Sequence, residues 1–93
     1  MPAITSLQNT RVKQVVRLRQ RRHRETEQLF LIEGHREIQR AIDARMSIQV
    51  LFTCEQLFGQ SSARALVRQV MVDTDCTVES VSREVFAKIS VRE

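Results

Sequence analysis

Hydrophobic residues recur along the chain with periods that change from helical to strand-like, and this pattern predicts the secondary structure. A first helix is predicted over residues 10–22, after Asn9, whose side chain is of the type that caps helix starts. Its apolar side chains fall within one arc at helical spacing and would face a core: Val12, Val15, Val16 and Leu18. The apolar run at residues 29–32, which ends at Glu33-Gly34, predicts a buried strand followed by a sharp turn.

The rest of the chain continues the alternation of helices and strands. The predicted elements are a helix over residues 36–45, a strand over 48–53, a loop at 57–62, a helix from Ser61 or Ser62 to 71, a strand over 77–81, and a short helix capped by Ser82. Such alternation is typical of the α/β class, in which crossovers place helices on both faces of a parallel sheet. We therefore expect one domain over residues 1–93, a small three-layer α/β/α sandwich with a mostly parallel sheet.

The positive charge of the chain is concentrated at its N-terminal end. Residues 1–24 contain seven basic and no acidic side chains, whereas residues 25–93 carry a net charge of −3. Six of the seven are arginines, whose planar guanidinium groups match phosphate oxygens and stack on bases. We predict that this N-terminal basic cluster binds RNA; its members are Arg11, Lys13, Arg17, Arg19, Arg21, Arg22 and Arg24. The alternative is a solvated helix face with an accidental bias toward positive charge.

A second candidate contact is the turn after the first predicted strand, formed by Glu33, Gly34, His35 and Arg36. Ligand sites of α/β proteins gather at strand ends, so this turn is a candidate for contact with RNA or another ligand. A turn glycine followed by solvated first-turn residues explains the same four positions equally well. The four phenylalanines fall mostly at apolar positions of predicted elements, which favours core positions over base stacking and leaves recognition of the RNA backbone.

Other kinds of site find little support in the sequence. The chain has two glycines and lacks the motifs of nucleotide-binding loops, serine hydrolases and zinc proteases, so no catalytic residue is predicted. Cys54 and Cys76, together with two histidines, do not form a metal-ligand pattern, and we expect reduced thiols and no metal. No apolar run approaches the roughly 20 residues of a membrane span, and the N-terminus lacks a secretory signal, which predicts a cytoplasmic protein without membrane contact.

Two stretches of the chain resemble the substrate-binding domain of SpoU-type RNA methyltransferases, the TrmH family of the SPOUT group. The first runs from Ile4-Thr5-Ser6-Leu7-Gln8-Asn9-Thr10-Arg11-Val12-Lys13 to the strand end Leu29-Phe30-Leu31-Ile32-Glu33-Gly34. The second, Val81-Ser82-Arg83-Glu84-Val85-Phe86-Ala87-Lys88-Ile89-Ser90, is similar to the segment that closes that domain. The resemblance covers the chain in order, although residues 44–76 match only in pattern and Thr10 replaces a proline that is frequent in the family.

This resemblance implies an α/β/α RNA-binding domain, similar to ribosomal and kink-turn RNA-binding proteins, that recruits RNA, usually rRNA. In the family a larger knotted domain follows, binds S-adenosylmethionine, methylates a ribose 2′-hydroxyl and forms the homodimer. No position of this chain matches the catalytic arginine, knot or cofactor loops of that domain. The resemblance therefore implies a catalytic domain beyond Glu93, no cofactor and no activity for this chain alone, and a monomeric state for this part.

Two other functions remain open from the sequence alone. A stand-alone ribosomal-type RNA-binding adaptor, without enzymatic activity, would carry the same basic helix, and the reading frame beyond Glu93 would distinguish it from an enzyme. A protein-interaction module would instead dock this helix on an acidic protein and would purify without nucleic acid.

Overall fold

The computed structural model describes residues 3–57 and 61–90. Within these residues the elements follow one another in this order: α1 (Thr10–Arg17), α2 (Arg21–Glu27), α3 (His35–Asp43), β1 (Val50–Thr53), α4 (Ser61–Asp73), β2 (Thr77–Ser80) and α5 (Arg83–Ile89). A 3₁₀ turn, Glu55–Leu57, follows β1. None of the helices in the described residues is long and apolar enough to cross a membrane.

Two helices begin at side-chain caps that the sequence predicts. The Asn9 Oδ1 atom accepts hydrogen bonds from the main-chain N–H groups of Arg11, at 2.9 Å, and Val12, at 3.4 Å. The Ser82 Oγ atom accepts one from the N–H of Val85, at 3.2 Å. Each cap satisfies donors that the first turn of a helix leaves free, and so fixes where α1 and α5 start.

The sheet is parallel, as predicted. β1 and β2 pair in the register Val50↔Thr77 to Thr53↔Ser80. A further parallel bridge joins Ile4 to Val81 just after β2. It is made by the Ile4 N–H, which donates to the Ser80 carbonyl at 2.7 Å, and by the Ser82 N–H, which donates to the Ile4 carbonyl at 2.9 Å. The N-terminal segment therefore lies on the side of β2 that β1 leaves free.

Helices cover both faces of the sheet. On one face α1 packs against α5 over a buried cluster formed by Val12, Val15, Cys54, Val81, Val85 and Ile89, with Phe52 against it. Because side chains alternate along a strand, Leu51 lies on the opposite face from Phe52. There α3 contacts α4, and α4 contacts β2. The predicted α/β/α sandwich is confirmed.

The single helix predicted over residues 10–22 is wrong, because the structure has two helices there. α1 ends at Arg17, and the extended backbone of Gln20 (φ −96°, ψ 131°) separates it from α2. Leu18, the last apolar residue before Leu29, is buried, and nothing apolar in residues 19–28 would hold a longer helix on the core. The chain therefore turns after Leu18, and none of the residues of α2 is buried.

The buried strand predicted at residues 29–32 is also wrong. This segment has no assigned strand structure, and Phe30 is 59% exposed. Leu31 packs against the buried cluster, so one side of the segment is anchored and the other faces solvent. A short apolar run does not reveal whether both of its faces will be covered, which is why the pattern misleads here.

The other predicted elements are confirmed with boundaries shifted by no more than two residues. Phe52 and Phe86 pack against the buried cluster, as predicted for core aromatics. The predicted loop at 57–62 lies partly at residues 58–60, outside the described residues, and so does Phe58.

Candidate nucleic-acid interface

The N-terminal basic cluster lies on α1, on α2 and on the link between them. Its seven side chains separate into three groups according to what they contact. Some pair with carboxylates, some donate hydrogen bonds to main-chain carbonyls, and some are exposed without a described partner. The groups differ in how much positive charge they offer to a ligand.

Arg11 and Arg21 pair with carboxylates in different settings. Arg11 Nη1 lies 2.6 Å from Glu79 Oε1, and this bond ties α1 to β2 across a half-buried space. Arg21 Nε lies 2.9 Å from Glu25 Oε1, one turn along α2, and both side chains are well exposed. An exposed pair of this kind contributes about 0–1 kcal/mol, so water and salt compete with it readily.

Glu27 at the end of α2 reaches back to α1. Its Oε1 atom accepts a hydrogen bond from Gln14 Nε2 at 3.0 Å, and its Oε2 atom lies 4.0 Å from Arg17 Nε. The Glu27 side chain is 25% exposed and that of Arg17 is 46% exposed. One carboxylate thus spans two neighbouring side chains of the exposed face of α1.

Arg19 and Arg24 serve as caps for helix ends. Arg24 Nη1 donates to the carbonyls of Leu18, at 2.9 Å, and Arg19, at 2.7 Å, where α1 has ended. Arg19 Nη2 donates to the carbonyls of Lys88 and Ser90 at the end of α5. Helix C-termini leave carbonyls without intrahelical partners and carry partial negative charge, so both arginines stabilise them.

Lys13 and Arg22 are exposed, and their side chains make no hydrogen bond or ion pair within residues 3–57 and 61–90. They are the members of the cluster with the greatest freedom to meet an anion. Contact of any member with RNA stays a prediction.

The sequence did not reveal the distant partners of this cluster, which are the Glu79 carboxylate and the Lys88 main-chain carbonyl. Glu79 and Lys88 lie far along the chain from the arginines they meet, so their contacts arise only from the tertiary fold. A signal was available for Arg21 and Glu25, because oppositely charged residues four apart face each other on a helix.

The predicted turn at residues 33–36 lies beside the C-terminal end of α5, which Arg19 of the basic cluster also contacts. Gly34 has φ 108° and ψ 144°, a backbone conformation that is essentially restricted to glycine, and it leads directly into α3. Glu33 Oε1 accepts a hydrogen bond from Ser90 Oγ at 3.0 Å. Ser90 also accepts from Arg19, so the structure brings the turn and the basic cluster together at the end of α5. His35 and Arg36 are exposed at the start of α3.

Other features of the described residues provide less for a ligand. Cys54 is buried, and partial burial raises the pKa of the Cys76 thiol, an effect that a hydrogen bond with the Leu51 backbone partly offsets. No group of three or more His, Cys, Asp or Glu side chains within residues 3–57 and 61–90 is placed to hold a metal ion. An open depression of about 380 Å³ contains none of the predicted site residues; it is lined by Met46, Ser47, Ile48, Gln49, Thr74 and Asp75.

Fold and surface together define a small α/β domain with an arginine-rich edge, a class suited to binding polyanions. The chain belongs to the MRM3-like substrate binding domain family, whose model matches residues 9–93. A solved structure described as an RNA 2'-O ribose methyltransferase is similar over 99% of this chain, with 33% sequence identity and a TM-score of 0.84. This chain spans 33% of the length of that structure. Comparison with curated proteins gives no significant match. The resemblance to SpoU-type substrate-binding domains is thus confirmed.

Proposed function

We propose that this chain is the RNA-recruiting domain of an S-adenosylmethionine-dependent RNA 2′-O-ribose methyltransferase that acts on rRNA in the cytoplasm. The observation that carries the proposal is the match to a substrate binding domain family over residues 9–93. Similarity to a solved RNA 2'-O ribose methyltransferase supports the class of reaction. Because the chain spans 33% of that structure, we assign the chemistry to a further domain of a longer protein.

We assign recognition of the RNA backbone to the exposed members of the N-terminal basic cluster. Lys13 and Arg22 are exposed, and Arg17 and Arg21 also reach solvent beside their carboxylate partners. Phosphate contacts of this kind supply sequence-independent affinity and position the RNA. We assign Arg19 and Arg24 a structural role, because their guanidinium groups donate hydrogen bonds to main-chain carbonyls at helix ends.

The predicted turn extends this surface. The exposed His35 and Arg36 stand next to Glu33, which Ser90 connects to Arg19 of the cluster. We propose that RNA crossing the basic cluster continues over this turn, and that Gly34 keeps the turn narrow enough for a close approach of the backbone.

We place the reacting ribose, S-adenosylmethionine and the homodimer contacts on the remainder of the protein. The cofactor supplies the methyl group when it is bound. This chain contains two glycines, Gly34 and Gly59, and no cofactor-binding motif, so we assign it no contact with the cofactor. Its own residues bind and orient the RNA.

Salt dependence of RNA binding tests the proposed surface. With four exposed cations in the cluster and Arg36 in the turn, the affinity of the chain for a fluorescein-labelled rRNA hairpin should fall with a log–log slope of about −3.5 to −4.5 in a salt titration. Lys13→Gln and Arg22→Gln should each make the slope shallower by about 0.7–0.9. Arg68→Gln, which removes an exposed charge on α4 across the sheet, is the matched control and should leave the slope unchanged. A flat salt response of the unaltered chain would overturn the surface.

The choice of rRNA is tested in cells. Deletion of the gene should remove one 2′-O-methyl mark from rRNA, as measured by mass spectrometry of ribonuclease digests. Unchanged 2′-O-methylation of rRNA, together with loss of a 2′-O-methyl mark from tRNA, would refute rRNA as the substrate. The class of reaction would still stand.

A further inference from the structure

Gln14 and Arg17 lie one helical turn apart on α1 and meet a single carboxylate. Each oxygen of Glu27 faces one of them, at 3.0 Å from Gln14 Nε2 and 4.0 Å from Arg17 Nε. Lys13 adjoins Gln14 and lies one turn from Arg17, and its ammonium group is exposed. The three side chains therefore form a small positively charged patch on α1, and a carboxylate of the chain itself contacts two of them.

A phosphodiester can take the place of that carboxylate. It also carries one negative charge and two oxygens that accept hydrogen bonds, and arginine and amide side chains bind such oxygens in nucleic-acid complexes. The nearby Lys13 would add a second cation for a phosphate, whereas Glu27 does not pair with it in the described residues. The patch thus offers a phosphate at least as many donors as it offers Glu27.

α2 is held in a way that allows the exchange. None of its residues is buried, and its N-cap residue, Gln20, makes no side-chain capping hydrogen bond. Short helices depend on packing for their stability, so α2 relies on side-chain bonds such as those of Glu27 and Arg24. Release of Glu27 leaves the caps that Arg24 makes to the Leu18 and Arg19 carbonyls in place, and the core is not disturbed.

We propose that Gln14 and Arg17, with Lys13 beside them, form a phosphate-binding subsite for the RNA backbone, and that Glu27 occupies this subsite in the free protein. The inference rests on the proposed RNA-binding function and adds a regulator to it. Glu27 acts as an internal competitor: it lowers affinity for isolated anions, and an RNA that contacts several cations at once displaces it.

The test compares two substitutions that remove the same charge from α2. Glu27→Gln keeps an oxygen that can accept the bond from Gln14 but releases Arg17. Glu25→Gln is the control, because Glu25 is 65% exposed and its partner Arg21 is 83% exposed, so water already screens that pair. Binding is measured by fluorescence anisotropy with a labelled oligouridylate at about 50 mM salt. Glu27→Gln should bind it at least about threefold more tightly than Glu25→Gln does.

Two further readouts make the result specific. The salt slope of Glu27→Gln should be steeper than that of Glu25→Gln by about 0.7, one phosphate contact on a single strand. In a double variant with Arg17→Gln, the gain from Glu27→Gln should disappear. Equal affinities for the two single variants, or a gain that persists without Arg17, would overturn the subsite while RNA binding by the unaltered chain stands. Failure of every form to bind RNA at low salt would instead overturn the proposed function and the subsite with it.

Discussion

At the scale of single residues, the backbone at Gly34 is the most restrictive position of the described chain. Its φ of 108° and ψ of 144° are open to glycine and strained for any residue with a Cβ atom. The residue stands between Glu33, which bonds to Ser90, and the first turn of α3. A change here therefore affects the fold and the proposed RNA surface together.

Gly34→Ala should lower the free energy of unfolding by about 1–3 kcal/mol, because alanine must adopt a conformation that its Cβ atom disfavours. Urea denaturation followed by circular dichroism measures the change. Ala44→Gly, at a residue with φ −82° just after α3, controls for substitutions near this helix and should cost less. An unchanged midpoint for Gly34→Ala would contradict the assigned conformation.

The two cysteines should differ in reactivity. Cys54 is buried and should react with iodoacetamide only on unfolding, whereas Cys76 is partly exposed. Because burial raises the pKa of the Cys76 thiol, its alkylation at pH 8 should be slower than that of free cysteine and should accelerate only as the pH rises past the ordinary thiol value of about 9. Mass spectrometry after timed alkylation follows both sites, and fast labelling of Cys76 at pH 7 would contradict the shift.

The same pKa shift makes the stability of the domain depend on pH. The unfolded chain has the lower thiol pKa and releases its proton first as the pH rises. The contribution of Cys76 to the free energy of unfolding is therefore complete below about pH 9 and is lost as the pH rises through the higher pKa of the folded state.

At the scale of elements, arginine side chains cap the C-terminal ends of α1 and α5. Arg24 bonds to two carbonyls at the end of α1 and Arg19 to two at the end of α5. Both ends lack the left-handed glycine that commonly terminates helices. The guanidinium groups of Arg19 and Arg24 take over this role, so these two members of the cluster have a structural function within the fold.

Arg24→Gln should lower the free energy of unfolding by about 1–2 kcal/mol, because charge-assisted bonds to two carbonyls are lost. For a domain of this size the melting temperature should fall by about 4–8 °C per kcal/mol. Arg22→Gln is the matched control, since Arg22 is exposed on the same helix without a described partner. Equal melting temperatures for the two variants would contradict the capping role of Arg24.

The pattern of the sequence predicts those elements whose own residues determine them. α4 and α5 have apolar residues at helical spacing, β1 and β2 are short and flanked by polar segments, and the caps at Asn9 and Ser82 need only local residues. The break after Leu18 and the exposure of Phe30 depend on what packs from elsewhere in the chain. The same holds for Arg11, whose partner Glu79 is brought near only by the completed sheet.

At the scale of the whole molecule, the bridge between Ile4 and Val81 joins the two ends of the described chain. The Ile4 N–H donates to Ser80 at 2.7 Å, and Ile4 packs against the cluster beneath α1 and α5. The N-terminal segment is therefore part of the sheet through Ile4 and part of the core through Ile4 and Leu7.

Ile4→Pro should destabilise the domain more than Ile4→Ala does, because proline removes both the side chain and the N–H that bonds to Ser80. The difference between the two variants should be about 1–2 kcal/mol, the cost of a lost main-chain hydrogen bond that leaves its acceptor unpaired. Thermal unfolding of both variants measures it. Identical melting temperatures would show that the bridge contributes nothing to stability.

The bridge also sets an order for events on the ribosome. Ile4 is translated well before its pairing partners, because Ser80 and Ser82 lie far later in the chain. Because translation proceeds at about 5–20 residues per second, this pairing can form only several seconds after Ile4 has been synthesised. Throughout that interval the arginine-rich segment at residues 11–24 lies near ribosomal RNA without Glu79, the carboxylate that later pairs with Arg11.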